Sequence, residues 1–502
     1  MRLGTLAALT VAVFVFVALF GTLHVDEGHY HAAGRLVLEG KLPYRDFIYV
    51  QAPAYPYLGA ALQLVTGPTF TGVRLGHAAL GALSVILGGL LARRGGRLGL
   101  GLYALLVLPN LFTIYHLSFI KLYPVAALAL SLAFVLFERD GPGSQVGAHV
   151  ACALAVATRV SLLPALGVMA VAGLARRRAK ALVPIGAACA TLAIAFLPHL
   201  LLAREQLLYD MFRYHFEKDA FTTRQLVAYK LDSLSGIASH FWPALLLASA
   251  TAFGSAPLHG LGEETVRRLT PWAVSLGLVT SHLVAKGPNL HLYLTAAYPY
   301  AAASLAAGAA AVLPRLGGLS RPAVLGSTLC FLVVLPAQVR ETLPVGRPDP
   351  TLLGAPAHRT PLFPPTALRV DAVARDVASL TRPGDEIVSF ADSVPVAARR
   401  RNLERYEMNA VSYAWDPERA RRFAVLHSSE LVAAIASGRV AACLVTDDSF
   451  IGNFPRFYNP GERGIRPDVM AAIEARFQLV RTYAGFGYFG RDAYLYVRRT
   501  SG

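Results

Sequence analysis

The chain has 502 residues, of which 55% are hydrophobic and 16% charged, with a mean hydropathy of +0.47; soluble domains carry about 25% charged residues. This balance excludes an ordinary soluble protein and reads as an integral membrane protein. The net charge of +16 does not point to nucleic acid, because the arginines sit in short loops between apolar runs and in the C-terminal region rather than along an aromatic-interleaved stripe.

Apolar runs recur at 4–23, 70–92, 98–116, 122–137, 146–158, 160–175, 181–203, 236–254, 272–285, 291–313 and 321–336. They are read as about eleven crossings of a hydrocarbon core roughly 30 Å thick. The first run, LAALTVAVFVFVALFGTL, is too long for a signal-peptide core and no A-x-A pattern follows it, so it is an uncleaved span. Arg93, Arg94 and Arg97, then Arg176, Arg177, Arg178 and Lys180, then Arg267 and Arg268, then Arg315 and Arg321 fall in alternate loops on the side of the N-terminus. By the positive-inside rule that side is cytoplasmic. The loop 24–69, the loop 204–235 and everything after 337 then face outward, and the protein belongs to the cell membrane as a multi-pass chain.

The first outer loop opens with HVDEGHYHAAGRLVLEGKLPYRDF at 24–47. Ala32, Ala33, Leu36 and Val37 recur at helical spacing, and Gly40 and Pro43 follow, which predicts a short amphipathic helix lying in the interface. The stretch PAYPYLGAALQLVTG at 53–67 is too short to cross and predicts a second surface helix. Asp26 and Glu27 stand at the outer end of the first span, where a carboxylate is partly desolvated and its pKa can be tuned for proton transfer. The plainer reading is that Asp26 caps the helix through its side chain. Asp46 adds a third acid to the same loop. Glu27 and His31 share a helix face, with His24 and His29 close by, so His29 and His31 are candidate ligands for a divalent metal cation, although the spacing matches no zinc signature.

Further along, Arg159 interrupts the run ALAVATRVSLLP. A cation at that depth calls for an anionic partner such as a lipid phosphate, or else it snorkels from the boundary between two spans. Lys286, His291 and Tyr293, in KGPNLHLYLTAAYPY, cluster at the outer ends of two spans and suit either a phosphate site or an interface belt. The loop RYHFEKDAFTTRQLVAYK at 213–230 has both readings as well. The four cysteines lie in apolar or strand-like segments without paired spacing, as packing residues.

A Pro-rich linker at 337–365 separates the membrane region, 1–336, from a C-terminal stretch, 366–502, that reads as an extracytoplasmic α/β domain. Its helix candidates are TALRVDAVARDVASL and SSELVAAIAS, and its strand candidates DEIVSF, AACLVTD, FQLVRTY and AYLYVRR. Gly485, Gly487 and Gly490 spell G-x-G-x-x-G, but a strand rather than a helix follows, so no dinucleotide site is expected.

The order of these pieces resembles the GT-C membrane glycosyltransferases, in particular the bacterial relatives of protein O-mannosyltransferases and of the aminoarabinose transferase that acts on lipid A. The resemblance rests on Asp26 and Glu27 after the first span, G-x-x-PYRDF at 40–47, QAPAYPY at 51–57, Arg159 in ATR, and HLYLTAAYPY at 291–300. It implies a multi-span helical fold and an inverting transfer of a sugar from a polyprenyl-phosphate donor to an extracytoplasmic acceptor, whether protein, lipid or glycan. Asp26 would be the base, with Glu27 supporting it. Asp46, Gln51, Tyr55, Arg159, Lys286, His291 and Tyr293 would contact substrates, the cations among them facing the lipid phosphate. Where some relatives carry an acid before a Pro pair, this chain has Gln51, Ala52 and Pro53, which removes one ligand of the metal proposed for them. The alternative is a multi-span transporter or flippase. Transporters place their ionisable groups near midplane and often show repeats, whereas here the acids gather in an outer loop.

Overall fold

A computed structural model describes residues 1–24, 26–214, isolated helical positions between 223 and 244 and at 277, residues 290–312, positions between 335 and 342, and then 366–408, 418, 425–446, 467–486 and 492–499. The described helices in the first part are α1 (Leu3–Phe20), α2 (Glu27–Leu38), α3 (Ala54–Thr66), α4 (Phe70–Ala92), α5 (Gly96–Val107), α6 (Leu111–His116), α7 (Leu122–Phe137), α8 (Pro142–Thr158), α9 (Leu163–Arg177), α10 (Leu182–Leu202), α11 (Arg204–Leu208) and α12 (Leu290–Val312). A single π-helical turn, Tyr209–Arg213, continues α11. Among the described residues, the stretches Leu3–Phe20, Phe70–Val107 and Val160–Leu202 are long and apolar enough to cross a membrane. Most of the expected spans at 236–254, 272–285 and 321–336 and nearly all of the linker lie outside the described residues.

The chain forms two compact units that do not follow chain order. The first comprises Met1–Ala18, His77–Phe196 and Phe221–Val345, the second Leu19–Gly76, Leu197–Ala220 and Gly346–Gly502.

In the first unit α7 packs on α8, and α12 on both α5 and α7. The seam is built from small side chains: Ala302, Ala303, Ala306 and Ala309 on α12 are buried, which lets helix backbones approach closely where no hydrophobic effect drives them together. Tyr300 stacks on Phe134 at 4.1 Å, and the Tyr298 hydroxyl donates to the Leu106 carbonyl at 2.9 Å. Large apolar side chains also face outward in this unit. Val171 is 67% exposed and Val183 70%, an arrangement that suits lipid rather than water.

The second unit joins the loop 24–69 to the C-terminal region. Helix α2 ends where the Gly40 N–H bonds the Val37 carbonyl and the Lys41 N–H the Leu36 carbonyl, with Gly40 at φ +83°, a Schellman stop that its glycine permits. Helix α3 lies against α2 at Gly34, where an added Cβ would sit 2.8 Å from the Gly59 carbonyl carbon. The C-terminal elements are α13 (Thr366–Leu380), β1 (Glu386–Ser389), α14 (Ser393–Ala398), β2 (Arg401–Asn402), α15 (Ser428–Ala436), β3 (Val440–Thr446), α16 (Pro467–Arg476), β4 (Phe477–Tyr483) and β5 (Ala493–Arg498). The sheet order is β2-β1-β3-β5-β4, parallel across β2, β1 and β3 and antiparallel across β3, β5 and β4. Val388, Leu431, Ile435, Val440, Cys443, Val445, Val469, Ile473 and Phe477 form its core. On α13, Val370, Val373, Ala374 and Val377 are buried, the stripe expected of an amphipathic helix. All four strand candidates and both helix candidates of the sequence are present, and β2, α14 and α16 are additions.

Two polar contacts tie this region to the loop. The Asp371 carboxylate accepts the backbone N–H groups of Phe70 at 2.8 Å and Thr71 at 3.0 Å, so α13 caps the start of α4. Lys41 pairs with the largely buried Glu407.

Candidate active site

The first turn of α2 separates its two acids. Glu27 is 1% exposed, and its Oε1 lies 3.0 Å from Nε of Arg74, which is also 1% exposed. The other Glu27 oxygen accepts the His24 N–H at 2.9 Å. Arg74 in turn donates to the carbonyls of Gly21 at 3.1 Å and Thr22 at 2.7 Å. Glu27 and Arg74 thus form a buried, multiply bonded ion pair that ties α4 to the end of α1 and the turn before α2, the geometry in which such a pair is tolerated. Asp26 is the N-cap residue by position, yet its side chain makes no capping bond. Its backbone N–H donates to His24 Nδ1 at 3.1 Å, and its carboxylate lies 3.8 Å from that nitrogen with 42% of the side chain exposed. The capping role considered from the sequence is therefore not observed, and a carboxylate is presented at the turn.

Asp46 is placed differently. Its oxygens take the Leu42 N–H at 2.7 Å and both Nε and Nη2 of Arg45 at 2.8 Å. The Arg45 guanidinium beside it holds the carboxyl below the usual range. This turn also carries Tyr44 at φ +68°, a strained value for a side-chain-bearing residue. It is locked by the Tyr44 N–H on the Phe47 carbonyl at 2.9 Å and the Tyr44 hydroxyl on the Gln51 carbonyl at 2.6 Å. Gln51 thus enters through its backbone. Tyr55, fully buried, meets Tyr30 edge-on at 5.0 Å, and burial followed by the Glu27 charge pushes its hydroxyl pKa well up.

The two candidate metal histidines diverge. His29 stacks on Tyr49 at 5.6 Å, while His31 is buried against the edge of Phe70 at 6.1 Å. Among the described residues no group of three or more His, Cys, Asp or Glu side chains is placed to hold a metal.

In the first unit, Arg159 sits not within a helix but at the break between α8 and a 3-10 turn, with φ −153° and ψ 107°. It is 7% exposed, and its guanidinium lies 5.1 Å from the Tyr123 ring centroid. Lys121, 5% exposed, lies over the same ring at 5.1 Å. Two largely buried cations therefore share one aromatic platform. The sequence reading missed Lys121 and Arg74. Lys286 falls outside the described residues, as do the side chains of His291 and Tyr293, whose backbone forms the first turn of α12.

Beside the Asp26 turn a small pocket is lined by His24, Glu27, Phe70, Ser393, Thr446 and Phe486, among others. It opens at the C-terminal ends of the parallel strands β1 and β3, the usual ligand side of such sheets. Helix α14 closes one wall: a Cβ at Gly28 would lie 2.8 Å from Asp392 Cβ.

No protein-family model and no curated protein sequence matches the chain. Solved structures do. The apo structure of ArnT from Cupriavidus metallidurans aligns over 98% of this chain and 97% of its own, at 12% identity and a TM-score of 0.60. The chain has the GT-C fold. The same ArnT bound to undecaprenyl phosphate aligns at a TM-score of 0.44. An oligosaccharyltransferase from Archaeoglobus fulgidus aligns over 97% of this chain and 74% of its own, at 12% identity and 0.48. The arabinofuranosyltransferase AftD from Mycobacteria aligns over 99% of this chain and 40% of its own, at 15% identity and 0.49. The long apolar helices agree with the composition in making this a membrane protein.

Proposed function

We propose that this GT-C chain is a glycosyltransferase that moves a sugar from a polyprenyl-phosphate donor to a hydroxyl-bearing acceptor on the outer face of the membrane, with Asp26 as the catalytic base. The observation that carries the reading is the division of labour at the first turn of α2. Glu27 is committed to Arg74 and the turn, and the neighbouring Asp26 carboxylate is presented with much of its side chain open. An acceptor hydroxyl reaching Asp26 would give its proton to the carboxylate as its oxygen attacks the anomeric carbon. The bond to the polyprenyl phosphate breaks on the opposite face, so the configuration inverts, as one base without a second nucleophilic carboxylate requires.

The leaving phosphate needs fixed positive charge. Within the first unit, Lys121 and Arg159, held on Tyr123, have the chemistry of a phosphate site. ArnT, whose fold this chain shares, is itself found with undecaprenyl phosphate, a lipid of the proposed donor class. Asp46 serves by holding its turn. His29 and His31 are assigned no metal.

The reading is tested by purifying the full chain in detergent, identifying co-purified lipids by mass spectrometry and assaying transfer from radiolabelled polyprenyl-phosphate sugars. The expected result is a bound polyprenyl phosphate and a product of inverted configuration. A chain that neither retains such a lipid nor turns over any such donor overturns the proposal.

A further inference from the structure

Asp210 lies outside every motif that the sequence singles out, on the π-helical turn Tyr209–Arg213, and is 1% exposed. Such turns weaken local hydrogen bonding and persist where a side chain has to be aimed. Its Oδ2 accepts the Tyr49 N–H at 2.9 Å, while its Oδ1 has no hydrogen-bond partner. An ionised carboxylate with a bare buried oxygen is costly, whereas a neutral acid is far less so. Burial accordingly pushes the Asp210 pKa well above the usual carboxylate range, against the smaller lowering effect of the Tyr49 N–H.

The amide that Asp210 holds belongs to the centre of an aromatic cluster. Tyr49 is fully buried, and its ring lies parallel to His29, with centroids 5.6 Å and planes 4° apart. Tyr30, Tyr44 and Phe47 meet it edge-on. His29 stands on the first turn of α2, one step beyond Glu27 and Gly28. A continuous line of contacts thus runs from the Asp210 carboxyl through the Tyr49 backbone and ring to the turn that carries Asp26.

We propose that Asp210 is a positioning residue for the base: by holding the Tyr49 N–H it fixes the stack of Tyr49 on His29, and with it the direction in which α2 presents Asp26. This rests on the reading of Asp26 as base. Asparagine keeps an oxygen for the Tyr49 amide and carries no charge, so it can replace the acid. Alanine cannot.

The test uses the full-length protein in detergent and two readouts. In transfer from a radiolabelled polyprenyl-phosphate sugar, Asp210→Ala is expected to lower kcat by about 10- to 100-fold at unchanged donor KM, the loss typical of a misaimed catalytic group. Asp210→Asn restores most of it. In the second readout Asp26 is replaced by cysteine, and the alkylation rate of the peptide bearing position 26 is followed by mass spectrometry. That rate rises in the Asp210→Ala background and not in the Asp210→Asn background. Should Asp210→Ala fail to fold, His29→Leu breaks the stack from the other side and gives the same paired signature. Normal kcat and labelling in Asp210→Ala or His29→Leu overturns the proposal, and so does an Asp210→Asn variant as impaired as the alanine one. If the wild-type chain turns over no donor while the labelling responds as stated, the role of Asp26 as base fails and the coupling of Asp210 to position 26 stands.

Discussion

The turn Leu42–Phe47 and the turn before α2 both carry acids between α1 and α3, and their fates differ. In the first, both oxygens of Asp46 are taken up by Arg45 and the Leu42 N–H. In the second, Glu27 is taken up in the same way by Arg74 and the His24 N–H, while Asp26 makes no capping bond and stays 42% exposed at its side chain. The comparison teaches that the number of acids in a loop says little about catalysis. What separates the three carboxylates is exposure and capping: Asp26 keeps 42% of its side chain open and caps no helix, whereas Glu27 is buried on Arg74.

The sharpest way to break that contrast is Asp26→Asn. It is expected to reduce sugar transfer by about 10²- to 10⁴-fold, the range for loss of a general base, with the thermal unfolding midpoint unchanged. Full transfer by this variant would remove the difference between the two turns. Glu27→Gln should act on stability instead. It leaves Arg74 as an uncompensated buried charge, for which about 3–5 kcal/mol is expected, and Glu27→Gln combined with Arg74→Met should recover much of the loss in unfolding midpoint. Gly28→Ala drives a methyl group toward Asp392 Cβ at 2.8 Å and should destabilise by about 1–3 kcal/mol, the usual cost of overpacking. Asp46→Asn should have the smallest effect. Because the folded Asp46 pKa is lowered, its contribution is present above the unfolded value of about 4 and fades as pH falls through the folded one. Unfolding midpoints of Asp46→Asn and wild type should therefore converge in acid.

Much of the architecture was legible because periodicity and turn chemistry carry it. The continuous apolar run in AACLVTD marks β3, the alternation in AYLYVRR marks β5, and the glycine at position 40 marks the end of α2. The resemblance drawn from Asp26, Glu27 and the motifs that follow is borne out by the GT-C fold. The short pieces β2 and α14 escaped because two or six residues cannot display a period. Arg74 escaped because it lay inside a run read simply as a span, although an ionisable residue one turn into an apolar helix already asks for a partner. Lys121, at the junction FIKLYP, gave a similar signal. Asp210 gave none. Its importance comes from a contact with Tyr49, 161 residues away in the chain, which no local pattern encodes.

The Asp371 cap on α4 joins positions separated by 301 residues. At ribosomal speeds of about 5–20 residues per second, roughly 15 to 60 s pass between the emergence of Phe70 and that of its cap. Throughout that interval the Phe70 and Thr71 amides at the entrance of α4 lack their carboxylate. The N-terminus of α4 is thus finished late, by a side chain from the C-terminal region, and a chain interrupted before α13 would leave those two amides uncapped.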